Sequence, residues 1–268
     1  MQKIILITGA TDGIGLETAK KLASSGHTIL LHGRNPKKLE QVVNLLTSAT
    51  SVGKVESFLA DLSQIGDVEG MAKAISVKYK RLDVLINNAG VFKTDKTQTK
   101  EGFDVRFVVN TIAPYLLTKR LLPLFEQTGR IINLSSAAQS PVDLETLWGK
   151  RQLSDMEAYA QSKLALTMWS RQMALSHPNG PVITAVNPAS MLGSKMVKEA
   201  FGVVGGDLKI GAGILCRAAL SKDFEDASGK YFDNDQQRFA SPHPDALDTQ
   251  KCKAVIDTIE TILKQLIG

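Results

Sequence analysis

The chain has few of the features that mark disulfide-rich, metal-binding or membrane proteins. Among its 268 residues are two cysteines, Cys216 and Cys252, which lie far apart and form no group with metal-ligand spacing. Neither a disulfide framework nor a metal site is expected, and a reducing compartment suits this composition. No apolar stretch approaches the roughly 20 residues that a helix needs to cross a bilayer, and no leader-like segment precedes Lys3. These absences predict a soluble, cytoplasmic protein without a membrane anchor.

Charge of one sign is not concentrated in any segment. The 32 Lys and Arg residues are scattered among 27 Asp and Glu residues, and the formal net charge is +5. Without a basic block, nucleic acid is not expected as a partner. No internal repeat, Gly/Ser linker or low-complexity tract divides the chain, and a hydrophobic content of 43% is enough for one substantial core. We expect a single domain over residues 1–268.

Apolar strands alternate with amphipathic helices along this domain. That alternation is typical of an α/β fold in which helices cover both faces of a doubly wound parallel sheet. Helices are predicted over 102–125, with a kink at Pro114, and over 155–176. In such a sheet, ligands bind beyond the carboxyl ends of the strands. About seven strands are predicted: 3–8, 28–32, 55–60, 83–87, 130–134, 182–187 and, with the weakest pattern, 230–232.

The first predicted strand leads directly into closely spaced glycines. Residues 8–15, here called the glycine turn, read Thr-Gly-Ala-Thr-Asp-Gly-Ile-Gly. Such a turn brings backbone N–H groups and a helix N-terminus against a pyrophosphate, because glycine has no Cβ to hold the phosphate away. A purely structural turn is the alternative, and the carboxylate of Asp12 counts against phosphate binding. The predicted dinucleotide contacts in this turn are Gly9, Thr11, Asp12, Gly13, Ile14 and Gly15.

The second strand is followed by basic residues. About 20 residues beyond the glycine turn, an NAD site would place an acid against the ribose 2′-hydroxyl. Here the segment is Gly33-Arg34-Asn35-Pro36-Lys37, and the acid is missing. Arg34, with the neighbouring Lys37 and Lys38, would instead bind a 2′-phosphate, which favours NADP(H) over NAD(H), and Arg34 and Asn35 are the predicted cofactor contacts. The alternative is that Arg34 and Lys37 are solvated charges at the start of a helix.

Two further strand ends supply candidate cofactor contacts. Asp61, followed by Leu62, can present its carboxylate to an adenine amino group, although it is equally suited to capping the next helix. Asn88-Ala89-Gly90 has small residues that let the backbone pass close to a flat ligand, and a simple turn accounts for them almost as well. Both segments are assigned to the cofactor site because they follow strands of the same predicted sheet.

The candidate catalytic residues lie later in the chain. Tyr159 and Lys163 are four residues apart in the predicted helix 155–176, so their side chains leave the same face. A tyrosine has a pKa near 10, and a nearby ammonium lowers it by stabilising the phenolate. Ser136, just after the strand 130–134, can hold a substrate oxygen as charge develops on it. Taken alone, a Tyr/Lys pair with this spacing is more often a surface pair.

Four motifs that occur in this order along the chain favour the functional interpretations over the structural ones. The glycine turn, Asn87-Asn88-Ala89-Gly90, Ser135-Ser136 and the pair Tyr159 and Lys163 together resemble the short-chain dehydrogenase/reductase family over nearly the whole chain. The resemblance implies a Rossmann fold. Within the family, the sequence resembles the retinol dehydrogenase and WW-domain oxidoreductase branch. The similar segments are the long stretch between Ser136 and Tyr159, residues 99–103 leading into Asn110, and residues 228–232 with Ser241-Pro242.

The resemblance also implies roles for residues. Tyr159 is implied as the general acid/base, and Lys163 as the group that lowers its pKa and binds the nicotinamide ribose. Ser136 is implied to orient the carbonyl or alcohol, and Asn110 to hold a water in the proton relay. The implied function is an NADP(H)-dependent oxidoreductase that interconverts a carbonyl and an alcohol. The alternatives are a non-catalytic NADP(H)-sensing protein, or an enzyme of this fold that reduces a C=C bond or epimerises a sugar nucleotide.

The sequence departs from the family pattern after the sixth strand. Where the family has Pro-Gly, this chain has Pro188-Ala189, and the residue that meets the cofactor carboxamide is unassigned between Gly193 and Ser194. Residues 188–210, here called the lid segment, are expected to form a substrate lid, with an ordinary surface loop as the alternative. We expect a small-molecule carbonyl or alcohol substrate that is lipophilic or of medium size, although retinoids do not follow. A homo-oligomer is only a family-level expectation.

Overall fold

The computed structural model describes residues 1–48 and 53–268, and within them one mixed sheet carries the fold. The strand order is β3-β2-β1-β4-β5-β6-β7-β8, and it reverses between β1 and β4. The first seven strands are parallel, and β8 pairs antiparallel with β7. The strands are β1 (Ile4–Ile7), β2 (Thr28–Gly33), β3 (Val55–Leu59), β4 (Val84–Asn87), β5 (Arg130–Leu134), β6 (Val182–Asn187), β7 (Tyr231–Asp233) and β8 (Arg238–Ala240).

Helices cover both faces of this sheet, as the single-domain Rossmann expectation requires. One face packs a core with α3, α5, α7 and α10, and the other packs a second core with α1, α2 and α9. The helices are α1 (Gly13–Ser24), α2 (Pro36–Thr47), α3 (Ile65–Lys78), α4 (Val105–Phe107), α5 (Ala113–Leu121), α6 (Leu144–Leu147), α7 (Asp155–Ser176), α8 (Lys195–Phe201), α9 (Leu208–Leu220) and α10 (Thr249–Ile267). Among the described residues, none of the helices has the length and apolarity of a bilayer span.

The predicted strand count was one too low. The eighth strand, β8, has three residues, of which Arg238 and Phe239 are exposed. So short an edge strand carries no run of buried apolar residues, and hydrophobic patterning therefore does not reveal it. The seven predicted strands correspond to β1–β7 and match them to within one or two residues at each end.

The predicted helix over 102–125 is interrupted. It begins at Val105, and residues Val108–Ile112 form a π-helical turn before α5 starts at Ala113. Pro114 lies just after this turn in a continuous run of helical residues, where a proline removes one backbone hydrogen bond of the helix. The predicted irregularity is therefore present, but it is a π-helical turn that precedes Pro114. Such turns are frequent at functional sites, and Asn110 lies in this one.

The helix that carries Tyr159 and Lys163 is fixed firmly at its start. Ser154 and Glu157 form a capping box, in which the Ser154 side chain accepts from the Glu157 N–H and the Glu157 carboxylate accepts from the Ser154 N–H. The buried Arg106 pairs with Asp104 at 2.6 Å and also contacts Asp155 in the first turn of α7. These bonds tie α7 to α4, and they set the depth at which α7 presents its inward face.

Candidate active site

A cleft of about 600 Å³ opens over the carboxyl ends of the central strands, where the strand order reverses. Of the predicted site residues, it brings together Gly9, Thr11, Asp12, Gly13, Ile14, Arg34, Asn35, Asp61, Leu62, Asn88, Ala89, Gly90, Tyr159 and Lys163. Gly15, Asn110 and Ser136 lie behind this lining. Around the cleft, as elsewhere in the described residues, His, Cys, Asp and Glu form no group of three suited to a metal ion.

The glycine turn is built for close approach. Gly9 and Gly13 have φ of 65° and 56°, in the left-handed region that glycine adopts without steric cost. A Cβ on Gly15 would lie 2.3 Å from the carbonyl oxygen of Gly9, so Gly15 allows α1 to pack against the turn. The N-terminus of α1 therefore lies against the cleft, where the Asp12 carboxylate accepts from the Gly13 N–H at 2.8 Å and Ser194 is the nearest residue across from Gly13. The glycine backbone on this wall fits the close approach of a dinucleotide pyrophosphate.

Asn88 holds the turn from the neighbouring strand. Its Nδ2 donates to the carbonyl oxygens of Thr8 at 2.8 Å and of Gly9 at 3.1 Å. The Thr8 hydroxyl in turn accepts from the N–H groups of Asn88 at 3.0 Å and Ala89 at 3.1 Å. Because these bonds join the ends of β1 and β4, the residues after β4 stabilise the glycine turn in addition to lining the cleft.

His32 is a cleft residue that the sequence analysis missed. Its Nδ1 accepts from the Gly9 N–H at 3.1 Å, and its Nε2 lies 3.0 Å from the carbonyl oxygen of Ala60, to which it must donate. The imidazole thus joins the ends of three strands under the glycine turn. Burial lowers its pKa, and the bond from Gly9 requires the neutral ring. The available signal was a histidine at the carboxyl end of a predicted strand.

At one end of the cleft, several residues that were predicted to contact the cofactor form hydrogen bonds within their own turn or helix start. The Asp12 carboxylate caps α1 by accepting from the Gly13 N–H at 2.8 Å. Asn35 caps α2 by accepting from the Lys38 N–H at 3.0 Å, and Asp61 accepts from the Ser63 N–H at 2.9 Å. Arg34 is exposed on the cleft wall between them. Asp12 and Asn35 thus cap helices, whereas the predicted capping by Asp61 is wrong, because α3 begins at Ile65 after Gln64 and has no side-chain cap. The position of Arg34 remains suited to a phosphate.

At the other end, α7 brings Tyr159 and Lys163 onto the same cleft wall. The Lys163 Nζ lies 5.6 Å from the centroid of the Tyr159 ring, and it donates to the carbonyl oxygen of Leu134 at 2.7 Å. Lys163 is 4% exposed. The Tyr159 ring packs against Phe92, with ring centroids 5.0 Å apart. The pair is therefore not a surface pair, and it lies at the opposite end of the cleft from Arg34.

Burial dominates the proton affinities of this pair. Desolvation lowers the pKa of Lys163 to about 8. Desolvation raises the pKa of Tyr159, and a hydrogen bond with Ser136 works in the opposite direction. The cleft by itself thus holds a neutral phenol beside a lysine that titrates near neutral pH. The expected lowering of the pKa of Tyr159 by Lys163 stays a prediction.

Asn110 is buried in the π-helical turn behind Gly90. Its Oδ1 accepts from the Val91 N–H at 2.8 Å, and its Nδ2 donates to the Val91 carbonyl at 2.9 Å and to the Ser162 hydroxyl at 2.9 Å. Both donor hydrogens of the side-chain amide are used by these bonds. The Asn110 side chain therefore fixes the end of β4 and the residue next to Lys163, and its role in holding a water stays a prediction.

The two serines after β5 are placed differently. Ser135 lines the cleft, with its hydroxyl 2.7 Å from that of Thr167. Ser136 is half-buried behind it, and its carbonyl oxygen accepts from Gln139 Nε2 at 2.8 Å and from the Tyr231 hydroxyl at 3.2 Å. Tyr231 holds the Ser136 backbone from the side of β7, and Gln139 holds it from within the same loop.

The rest of the wall was not predicted residue by residue. It is largely apolar near Tyr159, and Lys195 and Glu199 add charged side chains to it. Ser194 lines the cleft and also caps α8 by accepting from the Val197 N–H at 3.2 Å. These residues come from strand ends, loops and helices that only the fold brings together. They are Gly33, Lys38, Val91, Phe92, Lys93, Thr94, Val105, Val109, Leu134, Pro188, Lys195, Met196 and Glu199.

A family model described as short chain dehydrogenase matches residues 3–202. The chain therefore belongs to the short-chain dehydrogenase/reductase family of oxidoreductases, as its motifs predicted. It is 31% identical to human retinol dehydrogenase 13, over 92% of this chain and 80% of that protein. It is 30% identical to human polyprenol dehydrogenase, over 88% of this chain and 78% of that protein. These relatives support the predicted similarity to the retinol dehydrogenase branch.

Among solved structures, the chain is similar to a short chain dehydrogenase of Escherichia coli complexed with NADPH. The TM-score is 0.70 and the identity is 28%, over 87% of this chain and 96% of that one. The single-domain Rossmann fold is thereby confirmed, and a nicotinamide dinucleotide is the cofactor class of such neighbours.

Proposed function

We propose that this protein is an NADP(H)-dependent oxidoreductase that interconverts a carbonyl and an alcohol by hydride transfer. The observation that carries the proposal is the cleft itself, whose lining contains the glycine turn at its centre and Tyr159 with Lys163 at one end. The bound cofactor supplies or accepts the hydride. A cleft of about 600 Å³ has room for part of a dinucleotide and a small substrate beside it.

In the proposed reaction, the Tyr159 hydroxyl is the group that exchanges a proton with the substrate oxygen. Reduction of a carbonyl needs a donor, and burial keeps this phenol protonated. Lys163, whose Nζ lies 5.6 Å from the centroid of the Tyr159 ring and is already desolvated, would stabilise the phenolate that remains. Ser136, through its hydrogen bond with Tyr159, orients the same proton. The water-holding role of Asn110 belongs to this proposal.

The preference for NADP(H) rests on Arg34. Arg34 is exposed on the cleft wall at the end of β2, where a 2′-phosphate would meet its guanidinium. The similarity to a solved structure complexed with NADPH supports the same cofactor. NAD(H) is the alternative cofactor, because Asp12 and Asp61 place negative charge near that end of the cleft and so disfavour a 2′-phosphate.

The proposed substrate is a lipophilic carbonyl or alcohol. The wall beside Tyr159 is formed by Phe92, Val105, Val109 and Leu134, and Met196 reaches it from the lid segment. The relatives are named for retinol and polyprenol, both lipophilic alcohols.

We propose that residues 188–210 act as the lid of this single nucleotide-binding domain. We also propose that the protein acts in the cytoplasm.

The test is NADPH oxidation against a panel of aliphatic, aromatic and isoprenoid aldehydes and ketones. Wild-type protein is expected to turn over at least one of them, and Tyr159→Phe to lose about a hundredfold or more of that rate while still binding NADPH. Tyr115→Phe is the matched control, because the Tyr115 hydroxyl bonds to Glu260 at 2.5 Å and lies outside the cleft lining.

The outcomes separate the alternatives. Tight NADPH binding without turnover of any carbonyl or alcohol would favour the sensing protein. A product reduced at a C=C bond, or an epimerised sugar nucleotide, would replace the carbonyl assignment. An equal loss of rate in Tyr159→Phe and Tyr115→Phe would contradict the role of Tyr159.

A further inference from the structure

Ala189 adopts a backbone conformation that alanine rarely takes. Its φ is 109°, in the region where a Cβ crowds the backbone and glycine is the usual residue. The family pattern of Pro-Gly at this place is consistent with that geometry, yet the chain has Pro188-Ala189. A strained residue persists only where the surrounding structure holds it. The question is therefore which group holds Ala189.

The holding group is the turn between β7 and β8. The Asp235 carboxylate accepts from the Ser190 N–H at 2.8 Å and from the Ser190 hydroxyl at 2.5 Å. Its Oδ2 also accepts from Asn187 Nδ2 at 2.9 Å. On the other side of Ala189, the Pro188 carbonyl accepts from Asn234 Nδ2 at 2.9 Å. The residues on both sides of Ala189 are thus bonded to one hairpin.

The segment held in this way leads to the catalytic end of the cleft. Pro188 and Met196 both line the cleft. A Cβ placed on Gly90 would lie 3.8 Å from the Met196 Cε and 3.6 Å from the Lys163 Nζ. The start of the lid segment and its Met196 therefore share the end of the cleft that contains Lys163, opposite to Arg34.

We infer that Asp235 is a positioning residue for the nicotinamide end of the cofactor site. Its carboxylate keeps Ala189 in the strained conformation, and this sets the path from Pro188 to Met196 along the catalytic end of the cleft. The inference rests on the proposed function, because it needs a dinucleotide in this cleft. It assigns no proton transfer to Asp235, which lies outside the cleft lining.

The test compares two ligands that share one half. NADPH occupies both ends of the proposed site, whereas adenosine 2′,5′-bisphosphate reaches only the end near Arg34. Asp235→Ala is expected to raise the Kd for NADPH about tenfold, because it removes two hydrogen bonds from Ser190 to a charged acceptor. The Kd for adenosine 2′,5′-bisphosphate is expected to stay within about twofold of wild type. Asp257→Ala is the control, since Asp257 pairs with Lys253 on the exposed face of α10.

A second-site variant links the effect to Ala189. Glycine takes the φ of 109° without steric cost. Ala189→Gly is therefore expected to recover part of the NADPH affinity in the Asp235→Ala background, and to change it by less than about twofold on its own. If Asp235→Ala fails to fold, Ser190→Ala gives the same test, because Ser190 is exposed and loses only its hydroxyl bond.

The inference is supported if Asp235→Ala selectively weakens the binding of NADPH and Ala189→Gly restores part of that affinity. Equal weakening of both ligands would assign Asp235 a general structural role, and unchanged binding of both would remove it from the site. Failure of wild-type protein to bind either ligand would instead overturn the proposed function.

Discussion

Replacing Lys163 with methionine is expected to make the protein more stable at neutral pH while abolishing turnover. Lys163 is 4% exposed, and the methionine side chain has a similar length without the charge. Burial lowers the pKa of Lys163 from its ordinary 10.5 to about 8, so the folded protein holds the charged amine at a cost. Residues at functional sites often carry such a penalty in stability.

The magnitude follows from that shift and depends on pH. Because one pKa unit corresponds to about 1.4 kcal/mol, the charged Lys163 costs the folded state about 3 kcal/mol at pH 7. The cost falls as pH rises from about 8 towards 10.5, since the folded protein then carries a neutral amine and loses its disadvantage. At pH 10 about 1 kcal/mol remains. Loss of the bond to the Leu134 carbonyl subtracts about 1 kcal/mol at both pH values.

Urea unfolding of wild type and Lys163→Met at pH 7 and pH 10 tests this. The variant is expected to be more stable by about 2 kcal/mol at pH 7, with an advantage near zero at pH 10. Lys253→Met, on the exposed face of α10, is the control and is expected to show no such change. A variant that is less stable at pH 7, or a difference that does not change with pH, would refute the reasoning.

Three further substitutions test other parts of the structure. Arg34→Ala should raise KM for NADP(H) far more than for NAD(H), and an equal effect on both would make Arg34 a surface charge. His32→Leu leaves the Gly9 N–H and Ala60 carbonyl without their imidazole partner, and should lower the free energy of unfolding by about 2 kcal/mol. His32→Gln offers an acceptor and a donor and should lose less; equal losses would contradict the bridge. Ala189→Gly should raise the free energy of unfolding, measured by thermal or urea unfolding, by about 1 kcal/mol, because the relief of backbone strain exceeds the added entropy of the unfolded chain. Destabilisation would show that Ala189 is unstrained.

The parts of the fold that sequence predicted are those encoded locally. Most of the parallel strands are short and largely apolar, and α7 has its capping box and its terminal turn at the ends of one segment, so 155–176 was predicted with its observed bounds. The glycine turn and the Tyr159/Lys163 spacing are also local patterns. For these features, one stretch of sequence contains both the signal and the structure that it specifies.

The parts that were missed depend on contacts between distant residues. The role of His32 depends on two other strands, and the Asp235 contact with Ser190 spans 45 positions. The π-helical turn at Asn110 is stabilised by bonds to Val91 and Ser162, neither of which is near it in sequence. Periodicity cannot predict such features, because the groups that cause them meet only in the folded chain.

Transfer of deuterium from NADPH that carries deuterium in place of both hydrogens on the reactive nicotinamide carbon would test the central claim most directly. With any carbonyl that the wild-type protein reduces, the product is analysed by mass spectrometry and NMR. We expect one deuterium on the carbinol carbon, and labelled product from Tyr159→Phe to form about a hundredfold or more slowly under the same conditions. Deuterium on another carbon, or consumption of NADPH without label in the product, would contradict the assignment of hydride transfer to a carbonyl.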